Sequence, residues 1–268
     1  PLAHEFHWSS KDWERLGRGT LVGHLLECAG QITGGYFADP GYKDVSDLAR
    51  LGFPIAEVDP NGNAIITKVP GSGGQVSVAT CTEQLLYEIQ APDRYLVPDV
   101  TADFSAVRFR EVGHDRIQVQ GGTGTEAPET LKVSVGYQDG FIGEGQISYA
   151  GPGALARARL AAEIVKERLA LTGVNYEEIR FDFIGLNSLH GSGLSRTADE
   201  PYEIRLRVAA RCLNQGDTER IGREVEALYT SGPAGGGGAT RTGREIVAIG
   251  TAFIPRTAVV TQNYLEEV

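Results

Sequence analysis

The sequence predicts an α+β fold: a ferredoxin-like βαββαβ two-layer sandwich over residues 130–268, preceded by a mixed α/β, glycine-rich region over residues 1–129. Three observations carry this. Alternating apolar residues mark strands at Leu131–Tyr137, Gln146–Tyr149, Ile179–Phe183, Tyr202–Val208 and Ile246–Ile254. Two stretches of helical spacing interrupt them, Leu155, Ala158, Ala162, Val165 and Leu169, then Ile221, Val225 and Leu228, where a split β-α-β-β-α-β order needs its helices. Residues 121–129 lack periodicity and separate the halves.

Residues 1–19 read as a leading segment in which Trp8, Trp13 and Leu16 pack on a neighbouring surface. From Thr20 to Gln31 the spacing is helical, with Leu21, Leu25 and Cys28 on one face and His24, Glu27 and Gln31 on the other. Loop signals fill residues 32–47. Asp59-Pro-Asn-Gly-Asn63 between Ile55–Val58 and Ala64–Lys68 predicts a hairpin. Thr80 and Glu83 have the spacing of a capping box, opening a helix to about Gln90 that Pro92 closes. Strands follow at Ala106–Val112 and Arg116–Gln120, around a turn at Gly113-His-Asp115. In the second half Asp139-Gly140 predicts a turn between two strands, Gly151-Pro152 opens the long helix, Gly173 ends it, and Ser231-Gly232-Pro233 stops the next. Right-handed crossovers place both helices on one face of an antiparallel sheet.

Composition excludes several classes. With 35 acidic against 25 basic residues the net charge is −10 and the pI near 5.1, and no basic run is present to meet a phosphate backbone. Cys28, Cys81 and Cys212 are odd in number, far apart and without zinc spacing, so they read as reduced thiols of a cytoplasmic protein and no metal site is expected. No apolar run approaches the roughly 18 residues of a membrane span. There is no methionine, even at position 1, and the opening Pro1-Leu-Ala-His-Glu-Phe-His-Trp8 resembles the middle of a domain, so the chain is expected to be a piece of a longer one.

No recognised catalytic motif is present, so chemistry rests on local constellations. Gly235, Gly236, Gly237 and Gly238 can turn several backbone N–H groups toward one anion, which Arg241 would complete; the same residues also suit a plain connector. Lys68 with Gly71, Gly73 and Gly74 offers a second such cradle, or only a loop leaving the hairpin. His24 and Glu27, three apart on a helix, are close enough for proton transfer or for half a metal site, although a solvated face needs the same residues. Cys28 reads as a small core residue, and Glu83 as part of a cap. His190, in the loop 187–193 between two strands, suits an acid or base, but no partner carboxylate can be named. The candidate catalytic residues are therefore His190 and Glu27, and the candidate anion binders are the two glycine segments with Lys68 and Arg241. No cofactor is identifiable.

Several stretches together resemble one family. Gly23-His-Leu-Leu-Glu-Cys-Ala-Gly-Gln-Ile-Thr-Gly-Gly-Tyr36, Gly52-Phe-Pro-Ile-Ala-Glu57, Thr67-Lys-Val-Pro-Gly-Ser-Gly-Gly74, Gln84-Leu-Leu-Tyr-Glu-Ile89, Tyr95-Leu-Val-Pro-Asp-Val100 and the run Leu228 to Arg241 are similar to the acyclic terpene utilisation (AtuA-type) family, formerly a domain of unknown function. The resemblance covers about Trp8 to Arg256 and implies a role in acyl-CoA-linked catabolism of terpenoid or branched-chain acids. Members carry a further α/β region upstream of the point equivalent to Pro1, so only the C-terminal part is expected here, with the upstream half as a partner. The expected function is an enzyme domain, a hydratase or lyase acting on a carboxylate or CoA thioester. The alternative is a non-catalytic subunit organising an acyl-CoA carboxylase-type complex. A homo-oligomer is expected, with no nucleic-acid or membrane partner.

Overall fold

A computed structural model describes residues 1–194, 200–260 and 262. The chain divides into two compact units, residues 1–132 with 253–268, and residues 133–252.

The first unit holds α1 (Leu2–Glu5), α2 (Trp13–Leu26), β1 (Pro54–Val58), β2 (Ala64–Lys68), α3 (Val78–Leu86), β3 (Tyr95–Leu96), β4 (Thr101–Asp103), β5 (Arg108–Gly113), β6 (Arg116–Gln120) and β7 (Thr123–Thr125). Its sheets run in the orders β1-β2-β6-β5 and β3-β4-β7. Leu16, Leu21 and Leu25 of α2 share one core with Ile66, Ile117 and Val119 of the larger sheet and with Ala102 and Phe104. The hairpin forms where expected: β1 and β2 pair antiparallel, and Asp59 Oδ1 accepts from the amides of Asn61 and Asn63 at 2.8 and 2.9 Å.

Three expectations need correction. Helix α2 begins at Trp13, seven residues before the periodicity suggests, and runs straight through Gly17 and Gly19. Gly17 is where the Thr123 carbonyl of β7 comes against the helix, in space that any Cβ would occupy. Helix α3 is capped by Ser77, whose Oγ accepts from Thr80 N at 3.1 Å while Thr80 Oγ1 accepts from Ser77 N at 3.0 Å. The capping box thus lies three residues earlier than Thr80/Glu83, and Glu83 has no part in it. The stretch 121–129 contains β7 rather than loop alone.

The second unit is built on β8 (Thr130–Ala150), α4 (Ala154–Leu171), β9 (Glu178–Ile184), α5 (Gly191–Leu194), β10 (Glu203–Cys212), α6 (Gln215–Glu226), α7 (Leu228–Ser231) and β11 (Gly237–Pro255), its sheet ordered β11-β8-β10-β9. Strand β10 is antiparallel to both β8 and β9. Ala158, Ala161, Val165 and Leu169 of α4 and Ile221 and Val225 of α6 enter one core with Ile147, Tyr149, Leu206 and Val208 of the sheet. The expected turn at Asp139-Gly140 does not occur: β8 continues through it, and Gly140 takes φ +84° where the Cys212 carbonyl packs closely. The strand residues that alternate with the core positions carry a polar network. Arg207 joins Glu144 at 2.6 Å and Asp182 at 2.8 Å, and Arg205 reaches Gln146, Ser148 and Thr240.

Candidate active site

Near the C-terminal end of α2 the chain must place His24 between the core stripe of Leu21 and Leu25 and the surface. The ring is 3% exposed, stacked on Phe104 with centroids 5.9 Å apart and tilted against Tyr95 at 5.6 Å. It is therefore not on a solvated face, as the periodicity alone suggests. Gln84 Nε2 donates to the His24 carbonyl at 2.9 Å and ties α3 to the same turn.

Both ring nitrogens have partners. Nδ1 lies 2.6 Å from Glu27 Oε1, and Nε2 lies 3.1 Å from the Leu85 carbonyl. A carbonyl only accepts, and so does an ionised carboxylate, so a neutral imidazole cannot serve both with N–H donors. The tautomer decides which partner receives the N–H, Glu27 from Nδ1 or the Leu85 carbonyl from Nε2. The short Nδ1–Oε1 contact is a hydrogen bond along which a proton can pass between ring and carboxylate. Glu27 is half exposed, so the pair connects a buried ring to the surface.

The surroundings favour donors. Burial, then the charges of Glu27, Glu88 and Cys28, pushes the Tyr95 phenol up. The charge of Glu88, then its hydrogen bond, raises that of Tyr87, whose ring meets Tyr36 edge-on at 6.1 Å. Both phenols stay protonated at neutral pH and are available as hydrogen-bond donors. Ala29, Tyr36 and Glu88, all close by in sequence or contact, have φ of 48°, 41° and 58°, a strained left-handed conformation for residues other than glycine. Three buried polar atoms from these segments, Gln31 Nε2, Glu83 Oε1 and Gln84 Oε1, have no hydrogen-bond partner among the described residues. Glu83 Oε2 lies 3.5 Å from Lys43 Nζ, which sits 4.6 Å above the Phe37 ring. Among the described residues, no group of three or more His, Cys, Asp or Glu is placed to hold a metal ion.

The other sequence candidates fall elsewhere. Lys68 is buried; its Nζ donates to the Ser72 carbonyl at 2.7 Å and lies 3.5 Å from Asp115 Oδ2. The amides of Gly73 and Gly74 donate to the carbonyls of Arg50 and Ser46 at 2.8 and 2.9 Å, and Gly71 bends the chain at φ +75° on the surface. This segment is a seam between loops, in which the Lys68 ammonium and the Gly73 and Gly74 amides have partners within the protein. In the second unit Gly235 lies beside Arg157, and Gly236 rests on Ile147 and Tyr149. Gly237 and Gly238 already belong to β11, where the Gly238 carbonyl accepts from Arg205 at 3.2 Å. The tetraglycine run is thus a cover over the core leading into a strand. Arg241 lies across Gly222 and pairs with Glu226 at 2.8 Å, lining a groove of about 410 Å³ with Arg244, Thr218 and Glu219. His190 is exposed before α5, with no carboxylate paired to it among the described residues.

Among the described residues, Glu27 is paired with His24, which the helical spacing also singles out. Tyr95, Phe104 and the Leu85 carbonyl come from 61 to 80 residues further along the chain, beyond the reach of any spacing rule.

The sequence matches the family model described as acyclic terpene utilisation family protein AtuA over residues 1–265. Neither the curated proteins nor the solved structures give a match. No helix among the described residues is long and apolar enough to cross a membrane.

Proposed function

Because the chain belongs to the acyclic terpene utilisation family AtuA, and membership implies involvement in acyclic terpene utilisation, we propose that it is the acid–base part of an enzyme of that catabolism. Its substrate in this reading is a carboxylate or CoA thioester of a terpenoid or branched-chain acid, and its reaction a hydration, dehydration or carbon–carbon cleavage. Each of these reactions moves a proton at carbon or oxygen near the carbonyl. The observation that carries the reading is the 2.6 Å contact between Glu27 Oε1 and His24 Nδ1, with His24 Nε2 anchored on Leu85. Glu27 exchanges the proton with substrate, His24 replenishes it, and the protonated Tyr95 phenol supplies a second donor.

Positioned acid–base groups contribute about 10²–10⁴ in rate. In the full-length protein, turnover of a series of branched 3-hydroxyacyl and 2-enoyl CoA thioesters is expected to fall at least about 100-fold in Glu27→Gln, with thioester affinity retained. Unchanged turnover in that variant removes the proposal.

A second reading, a non-catalytic subunit of an acyl-CoA carboxylase-type complex, is supported by the exposed apolar side chains of Val135 and Tyr137 on β8 and Val247 and Ile249 on β11. The same residues support self-association. A stable complex with carboxylase subunits, together with no thioester affinity, favours this reading. For the second unit we hold the ferredoxin-like description, which the order β11-β8-β10-β9 supports.

A further inference from the structure

Helix α2, which carries His24 and is capped at its C-terminal end by Glu27, also forms the wall of an apolar cleft of about 400 Å³. Leu16, Gly19, Gly23 and Leu26 line it from the helix, with Trp8 and Val58 among the residues around them. Thr20 and Asp99 are the polar side chains on its wall. The volume lies within the roughly 300–1,000 Å³ of small-molecule pockets, and an apolar lining with few polar groups is their usual character.

The two glycines differ in a telling way. At Gly19 an added Cβ would come 3.2 Å from the Trp8 ring, so packing accounts for it. At Gly23 an added Cβ would meet nothing within 4 Å. A glycine inside a helix weakens the helix, and here no neighbouring atom requires the small residue. What its absence of side chain leaves is open cleft. Glu27, the residue that caps α2, lies four residues after Gly23 and its amide donates to the Gly23 carbonyl at 2.9 Å, so the carboxylate-bearing residue follows one helical turn beyond the glycine that opens the cleft.

We infer that the cleft holds the acyclic hydrocarbon tail of the molecule whose acyl end meets Glu27, and that Gly23 sets the length of chain admitted. This rests on the acid–base reading of Glu27 and His24.

The test uses the full-length protein and straight-chain carboxylic acids of four to ten carbons with their CoA thioesters, titrated by calorimetry. Affinity is expected to rise with chain length by about fourfold per methylene, the equivalent of the ~0.8 kcal/mol for burying one CH₂. Gly23→Leu, which fills the cleft while improving helix propensity, is expected to weaken binding of the ten-carbon probes at least tenfold, to leave the four-carbon probes unchanged, and not to lower the melting temperature. A flat chain-length series, no binding of any probe because another segment fills the cleft, or full ten-carbon affinity in Gly23→Leu would each overturn the inference. The two readings fail separately. Normal turnover in Glu27→Gln alongside a length-dependent, Gly23-sensitive affinity sinks the proton pair and leaves the cleft standing. Lost turnover in Glu27→Gln with no length dependence does the reverse.

Discussion

At the scale of single residues, burial decides which charged or reactive groups are available for chemistry. Lys68 is a cation beside three glycines, yet its ammonium is engaged by Ser72 and Asp115 inside the first unit. Removing one partner of a buried pair leaves the other uncompensated, at a cost of about 3–5 kcal/mol when both are fully buried. Lys68→Met is therefore expected to lower the urea-unfolding free energy by about 3 kcal/mol, with Lys68→Met/Asp115→Asn recovering much of it. Anion affinity is expected to stay the same in both. A loss of affinity at unchanged stability would restore the binding role. The cysteines divide in the same way. Burial pushes the Cys81 thiol up to about 12, and Cys212 is also raised, first by burial. Cys28 is only half-buried. Iodoacetamide at pH 8 on the native protein should label Cys28 and spare the other two. Cys81 keeps its proton in the folded state where the unfolded chain releases it, so its contribution to stability is intact below pH 9 and is lost as pH rises toward 12. Cys81→Ala should therefore flatten the loss of stability over that interval, and an unchanged slope counts against the assignment.

At the scale of the element, α2 shows why a sequence pattern can be right about face and wrong about extent. The spacing of His24 and Glu27 was legible, because residues three apart on a helix meet whatever surrounds them. The start at Trp13 was not, because Gly17 reads as a weak helix former when it is in fact the seat of a β7 carbonyl. Gly140 in β8 repeats the lesson: Asp-Gly is a turn signal by local chemistry, and the Cys212 backbone, 72 residues away, is what requires the glycine. The glycine runs at 71–74 and 235–238 were likewise legible as unusual backbone, but whether their amides face a guest or another loop depends on partners no spacing reveals. Helix α2 allows a direct comparison. In an exposed helix interior, glycine to alanine stabilises by about 0.8–1.0 kcal/mol. Gly23→Ala is expected to approach that gain, since its Cβ meets nothing. Gly17→Ala is expected to destabilise, because its Cβ would strike the Thr123 carbonyl. Melting temperatures moving in opposite directions check this. A gain at both positions would mean that β7 does not lie on the helix.

At the scale of the whole molecule, acid should be the more damaging side of neutrality for both units. The net charge of −10 at pH 7 is the excess of 35 acidic over 25 basic side chains, and several of the carboxylates bind a proton less readily in the folded chain than outside it. In the first unit the Arg116 hydrogen bonds hold Glu57 below its ordinary value. At Asp59 burial acts upward, but the bonds from Asn63 and Asn61 outweigh it. In the second unit burial also acts upward on Glu144, and hydrogen bonds from Gln146 and Arg207, with the charges of Arg207 and Arg244, bring it below normal. A carboxylate lowered in the folded state contributes stability that is present above its unfolded value, 4.5 for glutamate here, and lost as pH falls through the folded value. Protonation of the remaining carboxylates then leaves the basic residues repelling one another, which adds to the loss. The urea midpoint should therefore fall between pH 5 and pH 3, and Glu144→Gln should fall less over that interval than the unaltered chain. Glu57, exposed and open to screening, should matter less than Glu144 and should matter least at high salt. Parallel midpoint-against-pH curves for Glu144→Gln and the unaltered chain would show that the network of Glu144, Arg207 and Asp182 does not govern acid stability.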